Sequence, residues 1–215
     1  MELMEIIQKR RSVRRFKSDE VKSADIIEMV EAARLAPSGS NLQNWHFTAF
    51  KQKNSIKRIA DAAIDAMEEI AGNLDAVNKT LADKFRRFSK VYTFFFAEAP
   101  ALIVVMSKAS ALTGFKEMEE AGLDASRLYI KSPGMQSLGA AVENLLLRAF
   151  DLGYGGCWIT SANYADTRIE KILREETGFD KPDYYMAALI AIGVPDDDAK
   201  PFKKKQIEDI LTIVE

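Results

Sequence analysis

Ala101-Leu102-Ile103-Val104-Val105-Met106 is an uninterrupted apolar run that follows Pro100. A strand built from such a run carries apolar side chains on both of its faces, so both faces must be covered. A second run, Tyr185 to Val194, has the same character and ends at Gly193-Val194-Pro195. Segments with helical spacing alternate with these and other short strands. That alternation predicts an α/β (α+β) chain with a central sheet flanked by helices on both faces. The strands are few for a doubly wound arrangement, so the sheet is expected to be mixed and the helices to dominate. At 215 residues, with 47% of them hydrophobic, the chain suits a single domain, 1–215, with a sizeable core.

Several function classes are disfavoured. The formal net charge of −2 argues against a general nucleic-acid binder, which shows a basic surface. Cys157 is the one cysteine and His46 the one histidine. Intrachain disulfides, cysteine clusters and multi-histidine metal sites are therefore not expected. No apolar run is long enough to span a bilayer. The opening Met1-Glu2-Leu3-Met4-Glu5 is acidic where a secretory signal is basic, so a cytoplasmic location is expected.

The helical segments follow from periodicity. Residues 2–10 predict a short helix with Leu3, Ile6 and Ile7 inward. Asp25 followed by Glu28 has the spacing of a capping box, opening a helix to about Leu35. Ser55 to Ala71 places Ile56, Ile59, Ala63, Ile64, Met67 and Ile70 on one face. Ser137 to Phe150 is helical and ends near Gly153. Asp166 to Glu176 is helical and closes near Gly178. Residues 107–134 read as irregular, with helical character around 116–130. Residues 84–96 hold Phe85, Phe88, Tyr92, Phe94, Phe95 and Phe96. Two readings fit them: a helix packed on the core, or an aromatic lid over a pocket. Residues 195–215 form a C-terminal extension with a basic cluster at Lys203, Lys204 and Lys205.

Two polar clusters could carry chemistry. Arg10-Arg11-Ser12-Val13-Arg14 offers planar guanidiniums suited to phosphate and to carbonyl edges. Ala36-Pro37-Ser38-Gly39-Ser40-Asn41 joins a helix to a strand with small polar residues. It is either a plain connection or a loop whose backbone N–H groups approach a flat or anionic ligand. Gly155-Gly156-Cys157-Trp158-Ile159-Thr160-Ser161 is a third tight crossing. Cys157 and both tryptophans fit a core role, and His46 a packed or surface one.

Lys9 to Phe16 resembles the opening motif of the FMN-dependent nitroreductases. Ala36 to Phe47 resembles that family's second motif, Leu152 to Ile159 its third, and Ala191 to Pro195 its C-terminal strand. The four blocks stand in the family's order and span nearly the whole chain. The resemblance implies a three-layer sandwich and a homodimer with FMN in two clefts at the subunit interface. It implies that Arg10, Arg11 and Ser12 hold the phosphate and ribityl end, and that Arg14 faces the N1/O2 edge. Pro37, Ser38, Gly39 and Asn41 would reach FMN from the partner subunit. Ser137 would lie near the ring, the turn at Ile159, Thr160 and Ser161 would bring a backbone N–H near N5, and Lys204 would meet the phosphate. The implied activity is ping-pong hydride transfer from NADH or NADPH, through FMN, to a nitroaromatic, quinone or similar small-molecule acceptor. Other branches dehalogenate or cleave flavin, and a non-catalytic FMN-binding protein is a further alternative. No side chain is assigned as a nucleophile or proton donor. This chain departs from the family pattern at Gly39, commonly a second serine, at Thr160 and Ser161, commonly glycine or glutamate-glycine, and at Lys204, commonly arginine.

Overall fold

A computed structural model describes residues 2–108, 115–124, 133–197 and 201–214. The two apolar runs form the middle of a four-stranded sheet, ordered β1-β2-β4-β3. Its strands are β1 (Trp45–Phe50), β2 (Ala101–Lys108), β3 (Gly155–Ile159) and β4 (Tyr184–Gly193). Neighbouring strands are antiparallel throughout. Among the described residues parallel pairing enters only at a bridge between Ser12 and Gly156, so the mixture of directions arises there rather than among the long strands.

The period of two divides the central strands as their composition requires. Leu102, Val104 and Met106 of β2 join Leu189 and Ala191 of β4 in one core cluster. Ala101, Ile103 and Val105 join Ala188, Ile190 and Ile192 in the other. A bulge between Val105 and Met106 leaves Ala187 unmatched on β4. Its carbonyl accepts a hydrogen bond from Asn163 Nδ2 at 2.8 Å. Each fully buried aliphatic side chain contributes about 1.5–3 kcal/mol. An exposed ion pair contributes about 0–1 kcal/mol. The sheet and its coverings therefore dominate stability.

Seven α-helices occur among the described residues: α1 (Leu3–Lys9), α2 (Ser23–Arg34), α3 (Lys53–Asp75), α4 (Lys79–Tyr92), α5 (Phe115–Glu120), α6 (Pro133–Asp151) and α7 (Asp166–Thr177). The first core cluster takes Ile56, Ile59 and Ala63 from α3, and Ile169 and Leu173 from α7. The second takes Ile26, Met29 and Ala33 from α2, and Leu138, Val142 and Leu145 from α6. Helices thus cover both faces. Gly178, at φ 70°, ends α7 in the left-handed conformation that glycine adopts most readily.

Several expectations change in detail. Of the apolar residues of α1 only Ile6 is buried; Leu3 and Ile7 are exposed. The Asp25–Glu28 capping box does not form, because α2 begins at Ser23 and its N-cap is Lys22. Asp25 instead accepts a hydrogen bond from the Tyr154 hydroxyl at 2.6 Å. That bond, with burial, raises the Tyr154 phenol above its usual range. Helix α6 begins at Pro133, earlier than expected, as proline suits a first helical turn. The expectations for 109–114 and 125–132 lie outside the described residues. None of the described helices is long and apolar enough to cross a membrane.

Candidate active site at the β3 edge

The arginine cluster follows α1 as an extended strip that runs from the start of β3 to the end of β4. Ser12 bridges Gly156, and Val13 N–H donates to the Gly156 carbonyl at 3.0 Å. Further on, Lys17 N–H donates to the Val194 carbonyl at 2.9 Å, and Asp196 N–H to the Arg15 carbonyl at 3.0 Å. Val13 is the buried pin of the strip. It lies against Gly155, where an added Cβ would be 2.8 Å from Val13 Cβ and 3.0 Å from Pro195 Cγ. Glycine is needed there for close approach.

Extended backbone sends alternate side chains to opposite sides. The strip is sorted accordingly. Arg11 pairs with the Asp197 carboxylate and donates to the Asp197 carbonyl at 3.0 Å. Arg15 approaches the same carboxylate at 3.8 Å. Ser12 and Arg14 instead both act on Cys157, each favouring its thiolate. Burial outweighs them and pushes the thiol up, so Cys157 is a poor nucleophile. The sequence shows no cation beside Cys157; the fold supplies Arg14. Arg10 Nε lies 3.0 Å from Glu143 on α6.

The Arg14 guanidinium is 5.4 Å from the Tyr92 ring centroid and 5.8 Å from that of Phe95. Its Nε is buried and has no hydrogen-bond partner. Tyr92 ends α4, and Phe95 belongs to the 3-10 turn Phe94–Glu98 that follows. Within the 84–96 segment, Ser89, Thr93 and Phe96 are buried, whereas Phe88 and Tyr92 are exposed. At the turn after β3, Ile159 is buried in the core, Thr160 is exposed and Ser161 is half-buried. The Ser161 and Thr93 hydroxyls are 2.7 Å apart.

The remaining predicted site residues gather elsewhere. Ser40, Asn41 and Gln43 have φ of 51°, 55° and 44°, an unusual run of non-glycine residues in the left-handed region. Ser38 Oγ accepts from Gln43 N–H at 3.0 Å. Gly39 N–H donates to Ser137 Oγ at 3.2 Å, and Ser137 donates in turn to the Pro133 carbonyl at 3.0 Å. Pro37, Gly39 and Asn41 are exposed. Ser137 is therefore assembled with the loop. Among the described residues no hydrogen bond or ion pair joins this group to the strip. Lys204 is exposed.

Sequence reasoning missed Tyr92 and Phe95 as neighbours of the strip, Thr93 as a neighbour of the turn after β3, and Glu143 and Asp197 as counter-charges of the strip. The acidic run after Pro195 signals the last; nothing in the sequence singles out Thr93. At the opposite, β1 edge an open hollow of about 560 Å³ is lined by His46–Ala49 and Thr177–Lys181. His46 stacks on Phe179 with ring centroids 4.2 Å apart, which fits the packed role expected for it.

A helix-covered antiparallel sheet with a basic strip along its β3 edge defines the α/β class of the chain. The Nitroreductase family model matches residues 7–194, and the chain belongs to that family. The structure is similar to a BluB-like flavoprotein from Clostridium difficile 630, with 44% identity, a TM-score of 0.94 and 100% of each chain covered. An iodotyrosine deiodinase from Thermotoga neapolitana is 26% identical over 209 residues, 95% of each chain. A nitroreductase with bound FMN from Desulfitobacterium hafniense DCB-2 shares the fold at 20% identity and a TM-score of 0.74, covering 100% of this chain and 99% of that one.

Proposed function

We propose that this chain is a cytoplasmic, homodimeric FMN-dependent oxidoreductase that passes hydride from NADH or NADPH to a small aromatic acceptor such as a nitroaromatic or quinone. The observation that carries this reading is Arg14. Its buried Nε–H meets no acceptor in the chain, while the guanidinium is held against two aromatic rings. An orphaned buried donor costs about 1–3 kcal/mol, and an electron-rich ring edge would satisfy it. The residues present therefore fit FMN. The flavin-bearing relatives support the same cofactor.

Bound FMN supplies the two-electron chemistry, and the protein supplies orientation and electrostatics. Arg14 favours whichever form of the ring carries negative charge. Arg10, Arg11 and Ser12 would serve the phosphate and ribityl end, Arg11 being held on Asp197, and Lys204 would add a cation there. Backbone N–H groups at Ile159, Thr160 and Ser161 would border the reactive atoms of the bound ring. Pro37, Ser38, Gly39, Asn41 and Ser137 line the cleft of the second copy, which explains why they form a separate group within one chain. Exposed Leu3, Met4, Ile7, Ile207, Ile210 and Leu211 give that copy apolar surface to cover.

The test is direct. The purified protein should be yellow or become so with added FMN, NADH or NADPH should bleach it, and an acceptor should restore the colour. A colourless protein that takes up no FMN overturns the proposal. The deiodinase and BluB-like relatives favour a second reading with the same cofactor, dehalogenation or flavin cleavage. Anaerobic assays with halogenated phenols, and chromatography of the flavin after aerobic turnover, separate these outcomes.

A further inference from the structure

The corner between α4 and the 3-10 turn at Phe94–Glu98 is packed against two parts of the candidate site at once. Tyr92 and Phe95 hold Arg14, while Thr93 between them meets Ser161. We propose that Thr93 is a positioning residue, which fixes the Ser161 hydroxyl as a hydrogen-bond donor to the bound flavin. This rests on the FMN reading given above.

Two hydroxyls 2.7 Å apart share one hydrogen bond, and each has one proton to give. Thr93 is fully buried, so water does not reach it. Among the described residues the acceptor beside its hydroxyl is Ser161 Oγ. A buried hydroxyl that failed to donate would carry the cost of an unmet polar group. Thr93 therefore donates and Ser161 accepts. The Ser161 proton is left over, on a half-buried residue beside exposed Thr160 at the end of β3. It is directed by the bond that Ser161 has already accepted.

Thr93 is itself firmly held. Its N–H donates to the Ser89 carbonyl at 3.0 Å as α4 ends. Ser89, also buried, donates its hydroxyl to the Phe85 carbonyl at 2.9 Å. The orientation of Ser161 is thus set from a part of the chain that the family motifs do not include. This also limits the idea of a lid over 84–96. Phe88 and the Tyr92 ring can cover a ligand, but Thr93 is an anchored wall.

The experiment measures the midpoint potential and visible spectrum of bound FMN in Thr93→Val, Thr93→Ser, Ser161→Ala and the Thr93→Val/Ser161→Ala double variant, with melting curves alongside. Thr93→Val keeps the side-chain shape and removes the hydroxyl. The expected result is a shift in the same direction for Thr93→Val and Ser161→Ala, equivalent to about a tenfold change in the ratio of oxidised to reduced affinity. Thr93→Ser should restore the wild-type value, and the double variant should match either single one. A lower melting temperature for Thr93→Val with an unchanged potential overturns the proposal, as do additive effects in the double variant. If Thr93→Val does not fold, Ser161→Ala decides: an unchanged potential overturns the inference. Wild-type protein that binds no FMN is a different failure, that of the proposed function itself.

Discussion

Gly155→Ala probes the seat of the arginine strip. The new methyl would lie 2.8 Å from Val13 Cβ and 3.0 Å from Pro195 Cγ. Val13 is β-branched and stiff about χ1, and the collision reaches its Cβ, so the strip's backbone must move. Overpacking of this kind costs about 1–3 kcal/mol, and contact near the backbone points to the upper half of that range. Gly155 has no positive φ, so alanine also restricts the unfolded chain, which returns about 0.4–1 kcal/mol. The net expectation is a loss of about 2 kcal/mol, a fall of about 4–8 °C in melting temperature for a chain of this size. Urea titration should show the midpoint falling at unchanged slope. FMN affinity should fall with it, because Ser12 and Arg14 flank the displaced Val13. Val13→Ala removes the nearest colliding methyl, so the double variant should be more stable than the sum of single losses by about 1 kcal/mol. A Gly155→Ala protein as stable as wild type, or a strictly additive double variant, refutes the packing account.

Other perturbations test other parts. Arg14→Ala should disfavour the reduced flavin by about tenfold with FMN still bound, read as a lower midpoint potential; an unchanged potential contradicts the assigned role. Trimming Phe88 and Tyr92 to alanine should change relative kcat/KM among acceptors of different size, and identical preferences would dismiss the covering role of these rings. His46 is lowered by burial, with the Lys181 charge adding to it. Its folded pKa is therefore below its unfolded value of about 6.5, and the unfolded chain binds the proton more readily. Stability should rise with pH through that value and fall as the solution is acidified. His46→Phe, which keeps the ring stack, should flatten this part of the profile in urea titrations run from pH 5 to 8.

Much of the architecture was legible because strand periodicity leaves little choice. The run at Ala101 becomes β2, and that at Tyr185 becomes β4, each with apolar faces feeding two cores. Helix faces were less decisive. Leu3 and Ile7 share a side with Ile6, yet only Ile6 is buried, since spacing defines a face without naming what covers it. The Asp25–Glu28 spacing looked like a cap. Asp25 is bonded to Tyr154 and Glu28 pairs with Arg148, long-range partners that local rules do not contain. The candidate site shows the same division. Short motifs marked the strip, the loop and the β3 turn. That Ser137 bonds to Gly39, and that Thr93 meets Ser161, depend on contacts between residues 98 and 68 positions apart.

The two-sided sorting of the strip makes its length as important as its charge. Deleting Ser12 would leave Arg14 and Arg15 in phase, held by the Val13–Gly156 and Lys17–Val194 bonds, yet turn Arg11 from Asp197 toward Cys157 and bring Arg10 to the Asp197 side. Variation in this stretch should therefore tolerate exchange of one cation for another far better than any change in spacing: the strip works as a keyed edge, read by phase.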